Sequence, residues 1–151
     1  MNEAVTAVPN DARVWKAGAL AAVLASVVNV LIYLIADGLI EGQIAVPQPP
    51  PDGEVRQLPI VVVIAFSAVP ILLGTVAFQL AARFSRAHAA AVLAIGVVVM
   101  LLSLWAPLSI DVESSTKLAL VPMHLVAGAA FIGFLAPLLR STRPSPAESA
   151  M

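Results

Sequence analysis

Four long runs of apolar residues constrain this chain more than any other feature of its sequence. They cover residues 17–36, 59–82, 89–108 and 118–139, and none of them contains Asp, Glu, Lys or Arg. A helix that crosses a bilayer needs about 20 predominantly apolar residues. The sequence therefore predicts an all-α membrane protein, with four transmembrane helices in an up-down-up-down bundle.

The overall composition excludes a water-soluble domain. Hydrophobic residues make up 60% of the 151 residues and charged residues 11%, whereas soluble domains have about 45–50% and about 25%. A net charge of −1 argues against a nucleic-acid partner, and the absence of cysteine excludes disulfides and thiolate metal sites. The expected surroundings of the chain are the lipid bilayer.

The basic residues predict how the chain is threaded. Six of the eight Lys and Arg residues fall on one side of four spans, and only Arg56 and Lys117 fall on the other. Because positive charge collects on the cytoplasmic side, both termini are expected to be cytoplasmic, in the cell membrane or bacterial inner membrane. Residues 1–16 would form a cytoplasmic segment, 17–140 the transmembrane domain and 141–151 a disordered cytoplasmic tail.

The first outer loop, residues 37–58, is the one sizeable polar region between spans. It contains PQPPPDG at Pro47–Gly53, in which prolines favour an extended backbone and Asp-Gly favours a turn. Short segments that can form strands, QIAV and EVRQL, lie on either side. The pattern leaves two alternatives open, an irregular proline-stiffened loop and a short two-stranded β-ribbon.

Each span carries a polar side chain in its outer half. At a rise of about 1.5 Å per residue, these residues lie roughly 8–12 Å below the outer boundary. Polar groups in a membrane turn away from lipid and form hydrogen bonds between helices. We therefore predict a polar layer or ligand pocket, to which Tyr33 belongs because it lies one helical turn from Asn29; its members are Asn29, Tyr33, Ser67, Ser103 and His124.

His124 permits a structural and a functional interpretation. In the first, it is an interior histidine that fixes the register of its helix. In the second, it binds a ligand or relays a proton, because ionisable residues inside membranes are often functional. The structural interpretation is favoured, since no carboxylate accompanies the histidine. We predict no metal site and no cofactor, with an axially held haem or chlorophyll-type ring on His124 as a minor alternative.

Small residues predict where the helices approach each other closely. Gly18, Ala22 and Ser26 are spaced by four residues, which places them on one face of the first helix. Asn29 and Tyr33 continue that face, so it is expected to point into the bundle. On the other spans, the corresponding candidates for close packing are Gly74, Gly96, Gly128 and Gly133.

Three short motifs resemble a known family. They are VVNVLIY in the first span, SLWAPLS at the end of the third and MHLVAGA in the fourth. Together they resemble an uncharacterised family of small four-span bacterial membrane proteins, a domain of unknown function, over Trp15 to Arg140. The matching positions would be Asn29, Ser103, Pro107, Met123 and His124. The resemblance implies a four-helix membrane bundle and no particular activity.

The layout is also similar to that of claudins, which have a long first outer loop and cytoplasmic termini. The paired cysteines and the tryptophan motif of claudin loops are missing here, so the similarity is an analogy of architecture.

No catalytic constellation is found in the sequence, so a non-enzymatic protein is expected. The leading hypothesis is an accessory or assembly subunit, in a larger membrane complex or a homo-oligomer, that contacts its partner through the outer loop or a helix face. The alternative is a binder of a small molecule, lipid or cofactor in the polar layer. A small transporter is third, because no span carries an ion-coupling carboxylate.

Overall fold

The computed structural model describes residues 11–39, 44–47, 54–109 and 112–140. Within these ranges, four helical segments are long and apolar enough to cross a membrane, which confirms the predicted four-helix membrane bundle. Residues 1–10 of the predicted cytoplasmic segment, the predicted disordered tail 141–151 and the proline-rich residues 48–53 lie outside the described residues. The elements in chain order are α1 (Asp11–Leu39), β1 (Ala45–Pro47), β2 (Val55–Gln57), α2 (Ile60–Phe84), α3 (Arg86–Ser103), α4 (Trp105–Ser109) and α5 (Ser114–Arg140).

Helices α2 and α5 lie between α1 and α3, because α1 and α3 each pack against both of them. The α2–α3 connection is a single residue, Ser85, whose extended backbone reverses the chain. Its hydroxyl caps α3 by accepting a hydrogen bond from the His88 N–H at 3.2 Å. A connection this short forces α2 and α3 to run antiparallel.

The third span is divided at Leu104 into the helices α3 and α4. Pro107 has no N–H to donate to the Ser103 carbonyl, so the α-helical hydrogen-bond pattern is interrupted there. The Leu104 N–H bonds instead to the Leu101 carbonyl at 3.3 Å, in a tighter turn. The span predicted at residues 89–108 is thus one crossing made of two helices.

The bundle interior contains two apolar clusters. The larger lies towards Asp11, Arg140 and the α2–α3 turn, which we call the terminal end, and includes Val14, Phe78 and Leu135. The smaller lies at the opposite end, beneath the strands, which we call the ribbon end. It consists of Tyr33, Ile44, Val63, Ala119 and Met123.

The long loop contains an antiparallel ribbon of β1 and β2, the second of the two alternatives left open by the sequence. The pairs are Ala45 with Gln57, Val46 with Arg56, and Pro47 with Val55. The pairing extends one step further, because the Leu58 N–H donates to the Ile44 carbonyl at 2.8 Å. A two-stranded ribbon is marginal alone, and here the fully buried side chain of Ile44 fixes it to the bundle.

Candidate functional site

A hydrogen-bonded polar cluster ties three helices together between the two apolar clusters. The Asn29 amide nitrogen of α1 donates to the Ser67 hydroxyl of α2 at 2.8 Å. It also donates to the Met123 carbonyl of α5 at 3.0 Å. The Ser67 hydroxyl in turn donates to the Val63 carbonyl, one turn back, at 2.7 Å. We call this arrangement, Asn29 with Ser67 and the Met123 carbonyl, the polar tie.

The geometry of the polar tie fixes the direction of the Asn29 amide. A backbone carbonyl only accepts hydrogen bonds, so the group that faces Met123 must be the amide nitrogen. The amide oxygen then points elsewhere. It is buried and has no hydrogen-bond partner in the described part of the chain. A buried acceptor without a partner costs free energy, and it is the one unsatisfied atom of the polar tie.

Tyr33 lies one turn nearer the ribbon than Asn29 and belongs to a different contact. Its ring is buried in the smaller apolar cluster with Ile44 and Met123. Its hydroxyl accepts a hydrogen bond of 3.5 Å from the side-chain amide of Gln57 in β2. Tyr33 therefore connects the bundle to the ribbon.

Ser103 and His124 are hydrogen-bonded within their own helices. The Ser103 hydroxyl donates to the Met100 carbonyl at 2.7 Å. The Nδ1 atom of His124 lies 2.8 Å from the Leu120 carbonyl, which only accepts, so Nδ1 carries the hydrogen. Both side chains are half-buried. In the described structure, neither of them is hydrogen-bonded to Asn29 or Ser67, so two of the five predicted residues form the tie.

Four glycines accommodate bulky side chains from neighbouring helices. A Cβ atom added at Gly18 would overlap the side chain of Thr75, and one added at Gly128 would overlap Met100. Gly74 and Gly96 flank the two edges of the Phe131 ring, where an added Cβ would lie 2.7 Å from a ring carbon. These side chains fill the spaces that the missing Cβ atoms leave between helices.

The remaining predicted small residues differ in their surroundings. Ala22 is buried in the larger apolar cluster. The Ser26 hydroxyl is buried, with no hydrogen-bond partner among the described residues. Gly133 is exposed on α5, and a Cβ added there would meet no atom within 4 Å, so Gly133 makes no close helix contact among the described residues.

A second polar contact, at the terminal end, was not predicted from the sequence. The side-chain amide of Gln79 in α2 is buried and donates to the Asp11 carboxylate of α1. Arg83, one turn further along α2, forms a 3.2 Å ion pair with the same carboxylate. The sequence did contain a signal for this contact. Gln79 and Arg83 are four residues apart near the end of the second apolar run, and Asp11 precedes the first apolar run at the same end of the bundle.

Of three comparisons with known proteins, one found a match. No match to the chain was found among curated proteins or among solved structures. Residues 9–141 match a family of unknown function, which confirms the resemblance to an uncharacterised family. The match includes all four membrane helices and every residue of the polar tie. The chain is therefore a member of the family of unknown function DUF6069.

Proposed function

We propose that this protein is a non-enzymatic multi-pass membrane protein that acts as an accessory or assembly subunit and contacts a membrane partner through its ribbon. The observation that carries the proposal is the way in which the ribbon is attached to the helix bundle. Ile44 is fully buried beneath it, whereas all three residues of β2 are exposed. One side of the ribbon is thus fixed to the bundle while β2 is presented to the surroundings.

A ribbon that is fixed to the bundle can serve as a contact surface because its conformation is already ordered before a partner binds. The Leu58–Ile44 backbone bond joins the two sides of the ribbon next to the buried Ile44, and the Gln57–Tyr33 side-chain bond joins β2 to the bundle. Binding by an ordered segment avoids much of the entropy cost that a flexible loop would incur. These contacts favour the ribbon over an apolar helix face as the specific surface.

The hydrogen bonding of the polar layer supports a structural role for that layer. The two amide hydrogens of Asn29 are both used between helices, and the donors of Ser67, Ser103 and His124 are all directed to backbone carbonyls. Such bonds hold helices in register and satisfy polar groups that lipid cannot. This use of the polar residues favours a subunit over an enzyme.

We propose further that the ribbon lies outside the cell and the termini in the cytoplasm, with the protein in the cell membrane. Of the described basic residues, five lie at the terminal end and two at the ribbon end; they are Arg13, Lys16, Arg83, Arg86 and Arg140, and then Arg56 and Lys117. This asymmetry is the one that sets orientation in membrane proteins. Labelling of single cysteines by a membrane-impermeant reagent tests it, since Glu113→Cys should react in intact cells and Arg83→Cys should not.

The test of the subunit proposal is purification from the native membrane in mild detergent, with the native mass as the measurement. We expect the chain in a complex of fixed stoichiometry. Replacing residues 54–57 by a Gly-Ser linker should remove the partner, whereas Glu113→Gln, in the other connection at the same end, should not. A bare monomer in detergent that also forms no crosslinked complex in the intact native membrane would overturn the proposal.

One observation favours the alternative, a ligand bound at the polar layer. The buried Asn29 oxygen, without a partner in the described chain, is an acceptor that a ligand hydroxyl or amine would satisfy. The same native-mass experiment separates the two functions. A bound small mass that is lost in Asn29→Leu and kept in Ser103→Ala would establish the ligand site, and a chromophore lost in His124→Ala would identify a ring held by that histidine.

A further inference from the structure

Strand β2 directs part of its backbone away from β1. Opposed residues in an antiparallel ladder alternate between hydrogen-bonded and non-hydrogen-bonded pairs. The pair Ile44 and Leu58 is hydrogen-bonded, so Val46 and Arg56 form the next such pair. Pro47, which has no N–H, stands opposite Val55 in a non-hydrogen-bonded pair. The N–H and C=O groups of Val55 and Gln57 therefore point to the outer edge of β2, where the described structure has no further strand.

This outer edge carries a sequence that is complementary to itself. Alternate residues of an extended chain face the same side. Glu54 and Arg56 therefore lie on one face of the ribbon, and Val55 lies on the other. When a second copy is placed antiparallel and centred on Val55, each Glu54 stands opposite the Arg56 of the other copy. The two Val55 residues then form the hydrogen-bonded pair, which is the pair that their outward backbone groups permit.

The other two-fold registers of this edge are disfavoured. Centring the pair on Arg56 places two arginines opposite each other. Centring it on Glu54 places two glutamates opposite each other. Like charges directly opposite destabilise a strand pair. Centring it on Gln57 places Val55 opposite Pro59, which cannot donate a hydrogen bond. The register centred on Val55 is the one that satisfies both the backbone and the charges.

We propose that the outer edge of β2 binds the same edge of a second copy, which joins two ribbons into a four-stranded sheet about a two-fold axis. This inference rests on the proposed function and names the partner at that contact surface. Val55 has 59% of its surface exposed, and the Glu54–Arg56 ion pair within each copy is also solvent-exposed. Pairing covers the valines against each other and exchanges the two ion pairs within the copies for two ion pairs between them.

The membrane favours this arrangement. Two copies in one bilayer have the same orientation, so a two-fold axis along the membrane normal brings identical ends together. Confinement in the bilayer also raises the effective concentration of one ribbon around another. A contact of three-residue strands, which would be weak between freely diffusing proteins, is thereby strengthened. Membranes, rather than dilute detergent, are the medium in which to measure it.

The test is disulfide crosslinking in native membranes. The natural chain has no cysteine, so Val55→Cys introduces a single thiol at the centre of the proposed pair. Opposed residues in a hydrogen-bonded pair have Cα atoms about 5.5 Å apart, within the range that a disulfide spans. We expect most of the protein to form a dimer under mild oxidation. Glu113→Cys, exposed in the other connection at the same end, should form at least tenfold less.

Charge exchange then tests the register. In the Val55→Cys background, Arg56→Glu places glutamates opposite glutamates and should reduce the dimer at least tenfold. Adding Glu54→Arg to that variant recreates the complementary pattern in reverse and should restore the dimer. An unchanged dimer in the single exchange, or no recovery in the double exchange, would overturn the proposal.

The native mass distinguishes failure of this inference from failure of the proposed function. A complex with a different protein that depends on residues 54–57, in the absence of Val55→Cys dimers, would overturn self-pairing and leave the subunit role standing. A bare monomer without such dimers would overturn both. A two-copy mass together with crosslinking that follows the charge pattern would support both.

Discussion

The two ends of the bundle are held together in different ways. At the terminal end, helices approach closely because small residues accept bulky neighbours, as Gly18 does with Thr75. At the ribbon end, a polar tie joins three helices, and the loop residue Ile44 fills the space above it. Inside a membrane, lipid is as apolar as leucine, so burial of apolar surface alone does not hold helices together. Close packing at small residues, together with the polar contact of Gln79 and Arg83 with Asp11, serves the terminal end. Hydrogen bonding between helices, together with the buried loop residue Ile44, which we call the plug, serves the ribbon end.

This difference has a consequence for function. Close contact at a glycine permits little change, because the neighbouring side chain occupies the space of the missing Cβ. The ribbon end depends on one loop side chain and a few hydrogen bonds. Its elements can therefore be altered one at a time, which supports the proposal that the ribbon is the contact surface.

The largest expected effect is at the plug. Ile44→Ala removes most of a fully buried side chain, a change that costs about 2–5 kcal/mol in protein cores. Because Ile44 joins a short ribbon to the bundle, the loss should appear as local opening of the ribbon. We expect faster hydrogen exchange at the Leu58 N–H, which donates to the Ile44 carbonyl. Val46→Ala, at a half-buried position in β1, is the control, and equal exchange in both variants would contradict the plug.

The next largest effect is at the terminal end. In Gly18→Ala the new methyl group would overlap Thr75, which cannot turn freely because its hydroxyl bonds to the Ile71 carbonyl at 2.8 Å. Overpacking of this kind costs about 1–3 kcal/mol. The matched control is Gly133→Ala, where the space is open and the helix should gain about 0.5–1 kcal/mol. Thermal unfolding in detergent should therefore shift in opposite directions for the two variants.

The fold was largely predictable because its causes are local. Length and the absence of charge identify the membrane helices, and the lack of an N–H at Pro107 accounts for the break at Leu104. The ribbon was one of two predicted alternatives, and the sequence could not choose between them. The deciding contact is the burial of Ile44 against Tyr33 and Met123, which are distant in sequence.

The candidate site was less predictable than the fold. Depth along the helices, which depends only on counting residues, grouped Asn29 with Ser67, and these two side chains are hydrogen-bonded in the structure. Whether a side chain faces its own helix or a neighbouring one depends also on how each helix is rotated. Ser103 and His124 lie at a similar depth and bond to their own helices. Gln79 was overlooked for another reason. Its partner Asp11 precedes the first apolar run and was not considered part of a membrane helix.

The polar tie should have a smaller effect than either packing change. Ser67→Ala removes one acceptor of the Asn29 amide and leaves the bond to the Met123 carbonyl. Hydrogen bonds between membrane helices contribute about 0.6 kcal/mol on average and up to about 1.7, so a loss in this range is expected. Asn29→Ala should cost more, because both bonds between helices are lost. A double variant no less stable than Asn29→Ala would show that the two residues act through one contact, and additive losses would contradict the tie.

The smallest expected effect is at His124. In His124→Ala, the lost hydrogen bond is to a carbonyl of the same helix, and alanine favours the helix more than histidine does. Thermal stability should change by about 0.5 kcal/mol or less. A loss as large as that of Asn29→Ala would mean that the histidine holds the bundle together by a contact other than the one to Leu120. An unchanged stability with loss of a bound molecule or an absorption band would instead make His124 a ligand-binding residue, and the ribbon end would then hold a site beneath the proposed contact surface.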